Sequence, residues 1–159
     1  MRTNTSSRGF TLIEVLIALI ILAVGLLGMA TLMMSSLQSS QSAYLRSQAS
    51  VLAYDLVERM RANHTQAVTT DNYELAVDAA TTADPGCATS GCSASQQAQL
   101  DLFQWRTALT SSIPGATAEI ERDAPNEYTV TISWSEVGKQ LKKQDGTDVS
   151  PSFSLRIDL

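Results

Sequence analysis

A long apolar run near the N-terminus constrains this chain more than any other feature. Residues 10–34 are almost entirely apolar, and Glu14 is the single charged side chain among them. At about 1.5 Å per residue, a helix of this length crosses a hydrocarbon core of about 30 Å. A removable secretory signal has a shorter apolar region, of about 7–15 residues, that ends at a small-residue cleavage site. The run therefore predicts a membrane helix rather than an ordinary signal peptide.

The charges around this run predict its orientation and raise a question about Glu14. Arg2 and Arg8 precede the run, so the positive-inside rule places the N-terminus in the cytoplasm and the rest of the chain outside. A carboxylate within a lipid-facing helix costs about 2.5–3.5 kcal/mol on translocon-type scales. Because no Lys or Arg occurs in residues 10–45, Glu14 is either neutral in the membrane or paired with a positive group from elsewhere. If the chain were cut after Gly9, the new amino group at Phe10 of a neighbouring copy would be such a group.

Beyond the apolar run, two periodicities predict a helical part followed by a β-rich part. Apolar residues at spacings of three and four continue the helix to about Asn63. A second helix is expected from Ser93, where Ser93 and Gln96 fit a capping box, to Pro114. Alternation with a period of two predicts strands at 128–134 and 153–159, with 117–122 as a hairpin partner. We expect an α+β fold in which a long N-terminal helix packs on a small antiparallel β-meander with one extra helix.

The segment between the two helices carries weaker signals. Residues 65–91 are polar, and they are read as a connecting region with a short strand at Tyr73, Leu75 and Val77. His64 is expected at the exposed C-terminal end of the long helix, not as a ligand or a base.

The two cysteines predict a local disulfide if this part of the chain is exported. Cys87 and Cys92 have four residues between them, which is not the Cys-x-x-Cys spacing of a redox dithiol. Zinc would need further Cys or His ligands, and the single histidine lies far away in sequence. We therefore expect a small stapled loop and no metal site.

Charge and motif content argue against nucleic-acid binding and against catalysis. The net charge is −5, and loss of Arg2 and Arg8 with a leader would leave 9 basic against 16 acidic side chains, or −7. Non-specific nucleic-acid binding needs a basic face, and the small cluster of Lys139, Lys142 and Lys143 is read as a solvated hairpin loop. No triad, phosphate-binding loop or metalloprotease motif is present, and Glu119, Glu121 and Asp123 are read as a solvated face. We expect no enzyme activity and no cofactor.

The residues around Glu14 carry a family resemblance. The stretch from Arg8 to Leu16, RGFTLIEVL, resembles the class III signal of type IV prepilins. The resemblance implies cleavage after Gly9 by the prepilin peptidase, N-methylation of Phe10, and pairing of Glu14 with the amine of an adjacent subunit. It also implies partners at the inner-membrane assembly platform and the other pilins, contacted through the N-terminal helix.

Further segments resemble the PilV-type minor pilins, also called type IV pilus modification proteins. These segments are residues 42–49, 54–63 and 128–134, the paired cysteines, and Asp101-Leu102 with Trp105. The resemblance implies a type IV pilin-like fold and a priming or tip complex with other minor pilins, and also a large tip adhesin. Such a complex supports pilus extension, adhesion and twitching motility. The alternatives are a minor pseudopilin of a type II secretion system and a DNA-uptake pilin.

Together these features predict four segments and two locations. Residues 1–9 are expected to be a removed leader, 10–34 the membrane and filament-core helix, 35–63 its amphipathic continuation, and 64–159 a periplasmic globular head. The subunit is expected first in the bacterial inner membrane, as a single-pass protein, and then in the extracellular pilus.

Overall fold

The computed structural model describes residues 10–77, 79–80, 82–136, 141–142 and 148–159. The predicted leader, with Gly9, lies outside these residues. So do Lys139 and Lys143 of the predicted basic loop.

The described residues form three helices: α1 (Leu12–Ala62), α2 (His64–Thr69) and α3 (Ala94–Ser112). The long helix and the second predicted helix are both confirmed, the latter as α3. Its capping box is present, because the Gln96 N–H donates to the Ser93 hydroxyl at 3.3 Å and the Ser93 N–H donates to the Gln96 side chain at 3.0 Å. Two of the orphan N–H groups at the helix start are thereby satisfied.

The strands form the predicted antiparallel meander. The strands β1 (Thr117–Ala124), β2 (Glu127–Ser133) and β5 (Ser152–Asp158) pair in the order β1-β2-β5. Two short strands, β3 (Leu141–Lys142) and β4 (Asp148–Val149), pair with each other as a separate hairpin. The period-two pattern that predicted β2 corresponds to strict burial of alternate residues, with Tyr128, Val130 and Ile132 all inaccessible to solvent.

The chain divides into two compact units, Met1–Gln41 and Ser42–Leu159, and the second is called the globular unit below. In the first unit every described residue of the helix is exposed. The globular unit holds the core, in which the predicted stripe of α1, one face of α3 and the inner face of the sheet are buried. From α1 the core takes Ala49, Leu52, Ala53, Leu56 and Met60, and from α3 it takes Ala98, Leu102, Trp105 and Leu109.

Three predictions about the connecting region are wrong. Residues 64–69 form a short helix, so the globular unit has two helices after α1 rather than one. His64 is exposed, as expected, but it is the first residue of α2 rather than the end of the long helix. In place of a strand at 73–77, only Leu75 forms a β-bridge, to Ile120, with N–H···O distances of 3.0 and 2.8 Å.

Candidate functional site

The first candidate site is the start of α1, around Glu14. The backbone N–H groups of Glu14 and Val15 donate to the Thr11 C=O at 3.1 and 3.4 Å, so Glu14 lies in the first turn of the helix. A carboxylate is favourable there, because the N-terminal end of a helix carries partial positive charge. Phe10, 81% exposed, and Glu14 border one shallow apolar depression. Among the described residues, no basic group lies within ion-pair distance of Glu14.

Two glycines of the same helix have open space beside them in the described part of the chain. A Cβ atom at Gly25 or Gly28 would meet nothing within 4 Å. Glycine in a water-exposed helix interior costs about 0.8–1.0 kcal/mol relative to alanine. Packing among the described residues therefore does not require glycine at either position. α1 is the one helix in the described part of the chain that is long and apolar enough to cross a membrane, judged by length and composition.

The second feature is a buried polar cluster in the globular unit, made of Arg59, Asn63, Tyr73, Gln97 and Asp101. Asp101 is only 4% exposed. Its Oδ2 atom accepts a hydrogen bond from the Tyr73 hydroxyl at 2.6 Å, and its Oδ1 atom accepts one from the Gln97 amide at 2.8 Å. The Arg59 Nη1 atom lies 3.7 Å from Oδ1. Asn63 donates to the Tyr73 hydroxyl at 3.3 Å. The cluster joins the end of α1, the connecting region and α3.

Burial and the hydrogen bond to Asp101 both raise the pKa of Tyr73 above its ordinary value, so its hydroxyl stays a donor at neutral pH. Burial likewise raises the pKa of Tyr128, whose hydroxyl donates to the Ala67 C=O at 2.7 Å and so holds α2 to the sheet. These groups satisfy one another's hydrogen bonds, which is the pattern of a structural network.

The buried polar cluster was missed by the sequence reasoning, although a signal was present. Asp101 lies four residues before Trp105 and three after Ala98, and so on the predicted buried face of α3. A carboxylate on a buried helix face needs partners. Gln97 lies one helical turn earlier, but Tyr73 and Arg59 lie 28 and 42 positions earlier in the chain, which no local pattern indicates.

The predicted disulfide is present beside this cluster. Cys87 and Cys92 are bonded, with their Cα atoms 5.0 Å apart. The Gly91 N–H donates to the Cys87 C=O at 2.9 Å, and Gly91 has a positive φ of 92° that suits glycine. Cys92 directly precedes Ser93, the N-cap of α3, so the stapled loop leads into the start of that helix. No group of His, Cys, Asp and Glu residues in the described ranges could hold a metal ion.

Two protein families match the chain in adjacent stretches. Residues 4–30 match the prokaryotic N-terminal methylation motif, and residues 31–103 match the family described as type IV pilin Tt1218. These matches support the assignment of the chain to the type IV pilin family. No curated protein and no solved structure matches the chain.

The two matches cover different parts of the chain. The methylation motif covers Phe10 and Glu14, and the pilin match covers the rest of α1, the stapled loop and the first half of α3. The long apolar helix, the three-stranded antiparallel sheet and the further helices form a type IV pilin-like α+β fold, as expected. The pilin family is a structural family and not an enzyme family.

Proposed function

We propose that this pilin is a minor subunit of a type IV pilus, incorporated into a priming or tip complex that promotes pilus assembly. The prepilin peptidase cleaves after Gly9 and Phe10 is then N-methylated. Residues 1–9 are the leader, 10–34 the membrane and filament-core helix, 35–63 its continuation, and 64–159 the periplasmic head. The subunit waits in the inner membrane with its N-terminus in the cytoplasm, and then enters the extracellular pilus.

The observation that carries the assembly mechanism in this proposal is Glu14, the single charged side chain of residues 10–34, which has no basic partner among the described residues. Placing it in lipid costs about 2.5–3.5 kcal/mol. An amine 4 Å away attracts a carboxylate by about 4 kcal/mol at an effective dielectric constant of 20. The amine of a neighbouring Phe10 therefore offsets the cost of the charge, whereas lipid alone does not. Glu14 makes each subunit more stable beside another subunit than alone.

The two helix glycines support the same mechanism. Since a Cβ atom at Gly25 or Gly28 would meet nothing within 4 Å among the described residues, close approach by the helix of another subunit would give both positions a role. The helix exchanges lipid for the helices of its neighbours, and both environments are apolar. Transfer into the filament therefore has little net hydrophobic cost, and Glu14 supplies the register.

We base the role in a tip complex with other minor pilins and a large adhesin on the resemblance of residues 42–49, 54–63 and 128–134 to PilV-type pilins. That role would link the protein to adhesion and twitching. A type II secretion pseudopilin and a DNA-uptake pilin share the same N-terminal helix. The net charge of −5 disfavours the DNA-uptake role, because nucleic acid binding needs a basic surface.

Deletion of the gene in its own host tests the proposal. A minor pilin predicts loss or shortening of surface pili and of twitching, with normal secretion of enzymes through the outer membrane. Normal pili combined with blocked secretion would support the pseudopilin instead. Normal pili and secretion with failed DNA uptake would support the third role.

Cleavage is tested separately with Gly9→Val. The peptidase must approach the bond after residue 9, and a branched side chain obstructs it, so the variant should remain a full-length membrane precursor on a gel. Ser7→Val, two residues earlier, is the matched control and should be processed. Normal processing of Gly9→Val would contradict the cleavage assignment.

A further inference from the structure

Strand β5 lies at an edge of the sheet, and among the described residues its one strand partner is β2. The Leu159 N–H donates to the Asn126 C=O at 2.9 Å, and the Trp134 N–H donates to the Pro151 C=O at 3.0 Å. Because backbone groups alternate between the two sides of a strand, the odd-numbered residues of β5 bond to β2. The N–H and C=O groups that point away from β2 are therefore those of Ser152, Ser154, Arg156 and Asp158. They form a row of donors and acceptors that another strand could use.

On this edge the carboxylate of Asp158 has an acidic neighbour and no basic partner among the described residues. Asp158 lies directly opposite Glu127 in the β2–β5 register. Like charges in directly opposite positions destabilise a sheet. Arg156 bonds Glu127, and this hydrogen bond and charge raise the pKa of Arg156. No basic side chain of the described residues lies within ion-pair distance of Asp158. Asp158 therefore combines a like-charged neighbour with the lack of a cationic partner in this part of the chain.

The apolar row of β5 is also less covered than that of the neighbouring strand. Phe153, Leu155 and Ile157 face the core but remain partly exposed. Their partners on β2 are fully buried. A strand added beside β5 would cover part of this row.

We propose that the outer edge of β5 binds β5 of a second copy of this chain, in antiparallel pairing centred on Ile157. In this register Arg156 of each copy lies opposite Asp158 of the other. Ile157 lies opposite itself, and Leu155 lies opposite Leu159. Each copy thus supplies the cation that the other copy's Asp158 needs. This inference does not depend on the proposed role of Glu14.

Two neighbouring registers fit the charges less well. Pairing centred on Arg156 would set that arginine against its own copy, which is repulsive. Pairing centred on Leu155 would set Arg156 against Ser154 and Asp158 against Ser152, which leaves the carboxylate without a cation. Of these three registers, only the one centred on Ile157 sets Arg156 of each copy opposite Asp158 of the other.

The pairing is tested by exchange of charges between copies, with the full chain in detergent micelles. The reporter is Ile157→Cys, which should form a disulfide-linked dimer on mild oxidation because residue 157 faces its own copy; the native cysteines are already bonded to each other. Leu155→Cys is the matched control on the same row and should cross-link poorly. Adding Arg156→Asp or Asp158→Arg to the reporter should lower the dimer association constant by about tenfold or more, because two attractive pairs become two repulsive ones.

Mixing the two charge variants separates pairing from folding. A chain with Arg156→Asp carries two acids on the edge, and a chain with Asp158→Arg carries two bases, so the mixed dimer regains both opposite-charge pairs. A folding defect within either chain cannot be repaired in this way. The mixture should therefore restore cross-linking to near the level of the Ile157→Cys reporter that carries neither charge substitution. Failure of the mixture to cross-link, or stronger cross-linking of Leu155→Cys than of Ile157→Cys, would overturn the proposal.

Discussion

The buried polar cluster makes a quantitative prediction about Asp101. Asp101→Ala leaves the Tyr73 hydroxyl, on a fully buried side chain, without its acceptor, which costs about 1–3 kcal/mol. Loss of the Gln97 bond adds about 0.5–1.5 kcal/mol. Arg59 is partly exposed and keeps its ion pair with Asp55 at 2.9 Å. Loss of its contact with Asp101 should therefore cost about 1 kcal/mol or less. The expected total is about 1.5–5.5 kcal/mol.

Tyr73→Phe should cost about 1.5–3 kcal/mol, because the Asp101 Oδ1 atom keeps Gln97 and Arg59 while the Oδ2 atom loses the donor that Tyr73 provides. In the Tyr73→Phe background, Asp101→Ala no longer strands a buried hydroxyl. Its cost should therefore fall by at least about 1 kcal/mol, a coupling that a double-mutant cycle measures. Gln104→Ala removes an exposed hydrogen bond to Arg59 and is the matched control, expected within about 0.5 kcal/mol of wild type.

The assay is urea unfolding of the full chain in detergent, followed by tryptophan fluorescence. Both tryptophans of the chain, Trp105 and Trp134, are in the core of the globular unit, so the signal reports that unit. Additive costs in the cycle, or a loss below about 1 kcal/mol for Asp101→Ala, would refute the reasoning.

Three further predictions concern the globular unit. Burial raises the pKa values of Tyr73 and Tyr128, so the unfolded chain releases protons near pH 10 that the folded chain keeps. These two tyrosines should therefore leave the free energy of unfolding unchanged below that pH and lower it above by up to about 1.4 kcal/mol per pH unit for each tyrosine. Urea unfolding from pH 8 to 11 measures this loss, and an unchanged midpoint would contradict it. Trp105→Phe should cost about 1–3 kcal/mol in the same assay, because it removes the indole N–H that donates to the Leu52 C=O at 2.8 Å. Wild-type stability of this variant would show that the hydrogen bond contributes nothing. Reduction of the Cys87–Cys92 bond should cost about 2 kcal/mol, since the loop is short, and a double alanine variant should unfold identically with and without reductant.

The parts of the fold that follow from local periodicity were predictable from the sequence. The stripe of α1, the capping box at Ser93 and the alternation from Tyr128 to Trp134 each depend on neighbours within a few residues, and all three are confirmed. Helix α2 was not predictable in this way. It has six residues and no side-chain cap. It is held by tertiary contacts, namely the buried Ala67 and the hydrogen bond from the Tyr128 hydroxyl.

The candidate sites divide along the same line. Glu14 was singled out because a charge in an apolar run is visible in sequence, and its role and that of Phe10 stay predictions. The disulfide was predicted from cysteine spacing and is present. The buried polar cluster and the charge pattern across β2 and β5 depend on which distant residues become neighbours. Glu127 and Asp158 are 31 positions apart in sequence, and only the strand register sets them opposite each other.

The most direct test of the assembly mechanism is the amount of Glu14→Gln subunit in pili sheared from cells that lack the wild-type gene. Glutamine keeps the shape and removes the charge that the neighbouring amine would bind. Ile13→Ala, an exposed neighbour on the same helix, changes apolar bulk without changing charge and is the matched control. We predict that Glu14→Gln is processed normally but is strongly depleted from sheared pili, while Ile13→Ala enters them. Wild-type amounts of Glu14→Gln in the pili would contradict the pairing of Glu14 with an adjacent subunit.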